Sequence, residues 1–519
     1  MRAHPPDRPA GKTVQEYIDE TPAWPDGTLV PQAPMTLMQW QIWGLATAGK
    51  FFEGLVVFMT GVALPLISLE FHLSAAEKGM VGSATLFGIL VGATGLGGLS
   101  DHFGRKQLFI AEMILFLVFL VAMTLSPNFP LLLLFLFGMG LALGCDYPTA
   151  HLVISESIPS ICRGRLVLSA FAFQAVGVLV GTALGYMILR THESISDWRL
   201  MYSAAIVPTI LVLIGRFFVT QSPQWLMSRG RVAEAEKETL RLLRRDPKYP
   251  SKIFLKEVPD DEPEQERHKS KFKKLFKKKN RRATVLASVP WFLQDLATYG
   301  IGIFTPSILA SILGHTNLDE LNLSSVIHND MIAAKGAAFL DSLLLVGIIC
   351  AVLLADKVGR MKLQIFGFFG CAAGLLLAAF STYFSPGFAQ TSLIFAGFML
   401  FNFMTNIGPN AMTYLIAGEV FPTKIRGSGA GFAASFAKIG AVVTAFLFPV
   451  LLSNLGVAPI LYALVGTCLL GAFVTWRFGI ETMGVNLENI GRMESRGHDG
   501  PGGPERLEEH PASGTAAGP

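Results

Sequence analysis

The chain has 519 residues, 51% of them hydrophobic and 15% charged, with a mean hydropathy of +0.48. A soluble protein of this length exposes a surface that demands far more Lys, Glu, Arg and Asp, so a soluble globular fold is excluded. The formal charge of +4 is too small to point to a polyanionic partner, and the placement of the charges is more informative than their sum.

In chain order, residues 1–38 form a polar, Pro-rich N-terminal tail with no apolar core of a cleavable signal, so the first hydrophobic span is expected to act as an uncleaved insertion signal. Apolar runs of about 20 residues, each able to cross a hydrocarbon layer about 30 Å thick, then recur. They predict spans at 41–69, 79–99, 107–126, 129–152, 166–189, 198–219, 284–313, 335–355, 362–384, 389–417, 429–453 and 457–478. The expected fold is therefore an all-α integral membrane protein of about twelve transmembrane helices. A six-helix bundle at 39–219 and another at 284–478 would be joined by a linker at 220–283, helical over 232–245 and closed by a basic cluster. Residues 479–519 should be a disordered tail. Four of the five cysteines lie in apolar stretches and none has metal-ligand spacing, so they behave as small hydrophobes; no metal and no cofactor are expected.

An even number of spans puts both termini on one side. The connections on that side hold Arg105–Lys106, Arg163–Arg165, Lys357–Arg360–Lys362, Lys424–Arg426 and the Lys269–Arg282 cluster, whereas the opposite ones carry only Lys78 and Arg190. Positive charge is retained inside during insertion, which predicts an inner (plasma) membrane protein with both termini cytoplasmic. The basic run is a topology determinant lying on anionic headgroups rather than a nucleic-acid site.

Two motifs repeat in the same order. Gly97-Gly98-Leu99-Ser100-Asp101-His102-Phe103-Gly104-Arg105-Lys106 follows the second span, and Leu354-Ala355-Asp356-Lys357-Val358-Gly359-Arg360 follows the eighth. Glu156-x-x-Pro159-x-x-x-Arg163-Gly164 follows the fourth, and Glu419-x-x-Pro422-x-x-x-Arg426-Gly427 the tenth. Duplicated halves are the architecture of carriers that rock about a central site. Glu156 with Arg163, and Glu419 with Arg426, are expected to pair across helices when that side is closed and to separate when it opens; Gly97, Asp101, Gly104, Arg105, Lys106, Asp356, Gly359 and Arg360 belong to the same gating loops. The plainer alternative makes these solvated turn charges and orientation markers.

Ionisable groups inside spans are costly and so are functional candidates. Glu53, Asp146, Asp295 and Lys438 stand out, accompanied by Tyr147, Gln174, Trp291 and Tyr299; Trp291, Asp295 and Tyr299 share one helical face by their spacing. The alternatives are interfacial belt aromatics for Trp291 and Tyr299, helix assembly for Gln174, a structural ion pair for Asp295 and Lys438, and a helix cap beside Pro148 for Asp146.

The Asp-x-x-Gly-Arg loops resemble the signature of the major facilitator superfamily over about residues 40–490. The Glu…Arg-Gly elements, Gln221-Ser-Pro-Gln-Trp-Leu226 and Glu481-Thr-x-Gly484-x-x-Leu487-Glu488 are similar to the sugar-porter branch, with Gln221, Gln224 and Ile480 standing where that branch has Glu, Arg and Pro. Gly144-Cys-Asp146-Tyr147-Pro148 with Gln174, Trp291, Asp295, Tyr299 and Lys438 resembles the phosphate:proton symporters; Cys145 replaces a Gly, and Val56 stands where an acid is common. The resemblance implies that Tyr147, Gln174, Trp291, Tyr299 and Lys438 line an anion site, and that Asp146 and Asp295 handle protons or pair with Lys438. It implies secondary active transport of a small polar or anionic solute (phosphate, organic acid or sugar) by alternating access with proton symport, from a monomer in the bilayer. A uniporter or exporter is the alternative. A non-transporting sensor is disfavoured, because such proteins carry a large ordered extension and the tails here are short; no nucleophile–base set or metal cluster suggests an enzyme.

Overall fold

Hydrocarbon offers no hydrogen bonds, so each crossing segment satisfies its own backbone as a helix. The computed structural model describes residues 11–21, 35–96, 99–192, 194–244, 252–256, 273–313, 323–422 and 425–483. Twelve long helices are found among them: α1 Leu37–Phe71, α2 Ala75–Val91, α3 Arg105–Thr124, α4 Phe129–Ser157, α5 Ser160–Thr191, α6 Asp197–Phe218, α7 Arg281–Leu313, α8 Leu323–Val358, α9 Arg360–Phe380, α10 Phe388–Glu419, α11 Arg426–Leu455 and α12 Val457–Phe478. Ten are long and apolar enough to cross a bilayer; α2, of 17 residues, and α7 are the other two. Each expected span is answered by one of these helices.

Starts are fixed by side chains that occupy orphan N–H groups. Thr36 with Gln39, and Ser74 with Glu77, form capping boxes at α1 and α2, and Asn128 caps α4. Local departures were not foreseen: α2 runs into a π-helical turn at Gly92–Leu96, α6 is interrupted at 204–205, and α10 breaks at Gly408.

Helices α1–α6 and α7–α12 form the two pseudo-symmetric bundles, which meet chiefly through α5 against α8 and α2 against α11. Away from the Asp-x-x-Gly-Arg loops this seam is shut backbone to backbone. A Cβ on Gly61 would sit 1.9 Å from the Ile303 carbonyl oxygen, and one on Gly79 would sit 2.1 Å from that of Phe446. On the loop side the halves touch more loosely, with exposed Arg165 and Asp356 3.8 Å apart.

The polar N-terminal tail is not wholly detached. A short helix at Val14–Asp19 buries Ile18 against a cluster that includes Ile253 and Leu255, and Lys12 pairs backbone to backbone with Phe254 and Lys256 at 3.1 Å. Asp19 accepts both the backbone N–H and the hydroxyl of Ser160 at 2.7 Å, capping α5. The linker helix expected at 232–245 is observed as Val232–Leu242. Residues 257–272, with the first part of the basic cluster, Gly97, and the tail from 484 onward lie outside the described residues.

Candidate substrate and proton site

Midway along α1, α5, α7 and α11, polar side chains turn inward, where they satisfy one another rather than face lipid. Lys438 of α11 is the hub. Its Nζ stands 3.0 Å from Glu53 Oε1, donates to the Tyr299 hydroxyl at 2.5 Å and lies 3.8 Å from Asp295 Oδ2. Tyr299 passes its own proton to Glu53 Oε1 at 3.0 Å and accepts from Gln174 Nε2 at 3.1 Å. The other Glu53 oxygen takes Lys50 Nζ at 2.6 Å. The network therefore ties α1 and α5 of one bundle to α7 and α11 of the other. Two ammonium groups face two carboxyls, and Asp295 Oδ2 has no hydrogen-bond partner.

The aromatics are part of this interior. Trp291 and Tyr299 are 5% and 3% exposed, which excludes a lipid-interface belt for them. Trp291 meets Tyr414 edge-on at 6.2 Å between ring centres, and Tyr414 stacks on Phe171 at 4.7 Å. Beside the network lies a narrow cleft of about 20 Å³, lined by Phe58, Gln174, Tyr299, Leu344, Asn406 and Asn410 among others. Asn410 donates to Asn406 at 2.6 Å and accepts from Gln294 at 3.1 Å, so a run of amides borders the space.

Asp146 is elsewhere. Its carboxylate does not meet Lys438; Arg216 of α6 binds it at 2.6 Å, and the same guanidinium reaches Glu112 of α3 at 3.0 Å. Arg216 is fully buried, donates to the Phe109 carbonyl at 2.6 Å and lies 3.5 Å from the centre of the Phe109 ring. The α4 face that carries Asp146 looks into its own bundle, against Gly49 of α1, where a Cβ would sit 1.6 Å from Asp146 Oδ2. The expected pairing of Asp146 with Lys438 is thus replaced by a triad internal to α1–α6. The side chains of Tyr147 and Asp101 lie outside the described residues.

The gating loops also pair differently from expectation. Glu156 bonds Arg105 at 3.2 Å and receives the Ser222 hydroxyl, while Arg163 turns to the Ile158 carbonyl at 3.3 Å. In the second half Glu419 bonds Arg360 at 3.2 Å and receives the Thr482 hydroxyl at 2.6 Å, while Arg426 donates to the Phe421 carbonyl at 3.2 Å. The reason is geometric: Arg163 and Arg426 stand at helix starts, where their guanidinium groups fold back onto the preceding turn. Gly104 and Gly359 both adopt φ of 97°, a conformation that favours glycine, and so present Arg105 and Arg360 at the first positions of α3 and α9. Lys106 N–H is capped by Gln221 at 2.9 Å, and the Arg360 and Met361 N–H groups by Glu481 at 3.0 and 3.1 Å. Asp356 joins Arg360 at 3.0 Å.

The family model for sugar (and other) transporters matches residues 43–493. The chain belongs to this family. It is 29% identical to the putative metabolite transport protein YaaU of Escherichia coli, over 88% of this chain and 95% of the relative. It is 26% identical to a putative inorganic phosphate transporter of Schizosaccharomyces pombe, over 89% of both. The proton:xylose symporter XylE, solved with 6-bromo-6-deoxy-D-glucose, shares the major facilitator fold with a TM-score of 0.68, 19% identity, and coverage of 88% of this chain and 99% of its own. An inward-open structure of XylE from E. coli matches equally, with a TM-score of 0.68. This sugar-transporter family member is a multi-pass membrane transporter, not an enzyme.

Several residues of this transporter were not singled out from sequence. Lys50, three positions before Glu53, and Glu112 and Arg216 are charges within apolar runs, the signal that flagged Glu53. Asn406 and Asn410 carry no charge and Tyr414 no motif, so only their spacing of four hinted at a shared face.

Proposed function

We propose that the protein is a proton-coupled symporter of a small anionic or strongly polar solute, with both termini cytoplasmic and each gate opened in turn by rocking of the two halves. The observation that carries this reading is the Lys50–Glu53–Lys438–Asp295 cluster, two cations and two acids drawn from both halves and out of water. With both acids ionised the cluster is neutral. A proton on Asp295, the acid whose Oδ2 is unbonded, leaves a single positive charge that one anion cancels. Loading a monoanion and a proton together therefore keeps the interior neutral, whereas loading either alone strands a charge in low dielectric. Lys438, with Gln174 and Tyr299, would hold the solute beside the amide-lined cleft. The phosphate transporters among the relatives favour an anion, and XylE makes a sugar the competing solute.

The test is uptake by proteoliposomes of labelled phosphate, carboxylates and sugars, with the proton gradient imposed or collapsed. Asp295→Asn should abolish gradient-driven accumulation and leave exchange of internal for external solute intact. Uphill uptake by that variant at the unaltered rate would refute the coupling role.

A further inference from the structure

Asp341 takes no part in the chemistry described so far. It is 2% exposed on α8, and its Oδ2 has no hydrogen-bond partner. It lies in the α5–α8 seam, beside the Thr182 hydroxyl of α5. That hydroxyl has one proton, directed at the Val178 carbonyl at 3.0 Å or the Leu179 carbonyl at 3.2 Å.

The position is on the conduction axis. Gln174, Val178 and Leu344 line the central cleft. Thr182 is eight residues beyond Gln174, about 12 Å farther from the basic loops at the helical rise, and Asp341 is one turn beyond Leu344. The seam is shut at this level, where Thr182 of α5 and Ala337 of α8 are each 1% exposed.

The charged and titratable groups on the elements packed against α8 are otherwise committed. On α1, Lys50 and Glu53 bond each other; on α7, Asp295 and Tyr299 face Lys438; on α9, Arg360 holds Glu419. The α10 groups nearest Asp341 are the amides of Asn402 and Asn406, which bond the Leu340 and Leu344 carbonyls. On α5, Arg163, Arg165 and Arg190 stand at the ends, and on α8 itself Lys335 is exposed while Asp330 is buried with neither oxygen partnered. Among the described residues no cation is in contact with Asp341.

We infer that Asp341 is a proton-binding site of the transport cycle, loaded when the α5–α8 seam closes and emptied when it parts. A carboxylate without a counterion is stable in a hydrated, open seam and very costly in a dry one, so closure proceeds with uptake of one proton from the outer water. Reopening returns that proton to the same side. The site sets how outer pH biases the gate without adding to the protons carried inward. The inference rests on the orientation proposed above and on alternating access, but not on Asp295 coupling.

The experiment needs no solute. Spin labels at Thr191→Cys, the outer end of α5, and Lys335→Cys, an exposed position of α8 on the outer side of Asp341, are placed in protein whose five native cysteines are replaced, in nanodiscs. Distances are read from about pH 5 to about pH 9. The open-to-closed ratio should rise with pH by up to about tenfold per unit, the limit for loss of one proton. Asp341→Asn, a neutral isostere, should stay closed throughout, and Asp341→Glu should restore the response. A pH-independent ratio in the unaltered protein, or an Asn variant that follows the unaltered curve, would overturn the inference. Failure of proton-driven uptake would instead sink the symport reading and leave this ratio as it is.

Discussion

Two buried charge clusters of opposite design sit at the residue scale within one bundle's reach of each other. In the central one the Lys438–Glu53 pair joins the two moving halves, so pairing and unpairing accompany rocking. In the Arg216 triad all three members belong to α3, α4 and α6, and the guanidinium is also fixed by the Phe109 carbonyl and ring. That arrangement suits a static tie. Removing one partner of a buried pair costs about 3–5 kcal/mol, because the other charge remains dry and uncompensated. Arg216→Met should therefore lower the thermal denaturation midpoint markedly, with Glu112 and Asp146 left facing each other. Adding Glu112→Gln and Asp146→Asn should recover most of the loss. A single variant as stable as the unaltered protein would show that the triad is not holding α6 to its bundle. Gly49→Ala should destabilise for a steric reason, since its Cβ would overlap the Asp146 carboxylate.

At the element scale the repeat is closer than its residues announce. The chain at Gln221–Ser222 and the chain at Glu481–Thr482 do the same work: one side chain caps the helix after an Asp-x-x-Gly-Arg loop and the next hydroxyl bonds the latch glutamate. One cap is neutral and the other charged. A carboxylate at a helix N-terminus gains about 0.3–1 kcal/mol over a neutral group at low ionic strength. Gln221→Glu should accordingly stabilise α3 by a few tenths to one kcal/mol and more at low salt, whereas Glu481→Ala should expose two N–H groups of α9 and lower stability. Differential scanning measurements at two salt concentrations separate the cases. The twelve helices were legible because a segment dry on every side has no choice but an apolar helix. The breaks at Gly408 and 204–205 were not, since they answer to neighbouring helices. Lys438 was legible because a lone charge in an apolar run is expensive. Its true set of partners was not, and neither was Arg216, which sits 70 residues from the Asp146 it neutralises. Glu156 was assigned the nearer Arg163, but a sequence motif records proximity along the chain, while Arg105 reaches it across two helices.

At the scale of the whole molecule the two sides of the seam differ in what holds them. The side away from the basic loops, the outer one in the proposed orientation, depends on backbone meeting backbone at Gly61 and Gly79, and the basic side on separable ions such as Arg165 and Asp356. Contacts of the first kind tolerate no added atom, because a carbonyl oxygen in a helix cannot swing aside as a side chain does. Overpacking a fitted contact costs about 1–3 kcal/mol, and about 1.4 kcal/mol is a factor of ten in an equilibrium. Gly79→Leu, whose Cβ would lie 2.1 Å from the Phe446 oxygen, should thus push the population from outer-closed toward outer-open by roughly ten- to a hundredfold. Ala337 of α8 is 1% exposed in the closed seam, so a cysteine there reports opening. Its reaction with a water-soluble maleimide in nanodiscs should speed up by the same factor in the Gly79→Leu background. Gly95→Leu, at a place where nothing lies within 4 Å, should leave that rate as it was. Equal rates in both backgrounds would mean that the seam closes by some means other than the fit of these glycines.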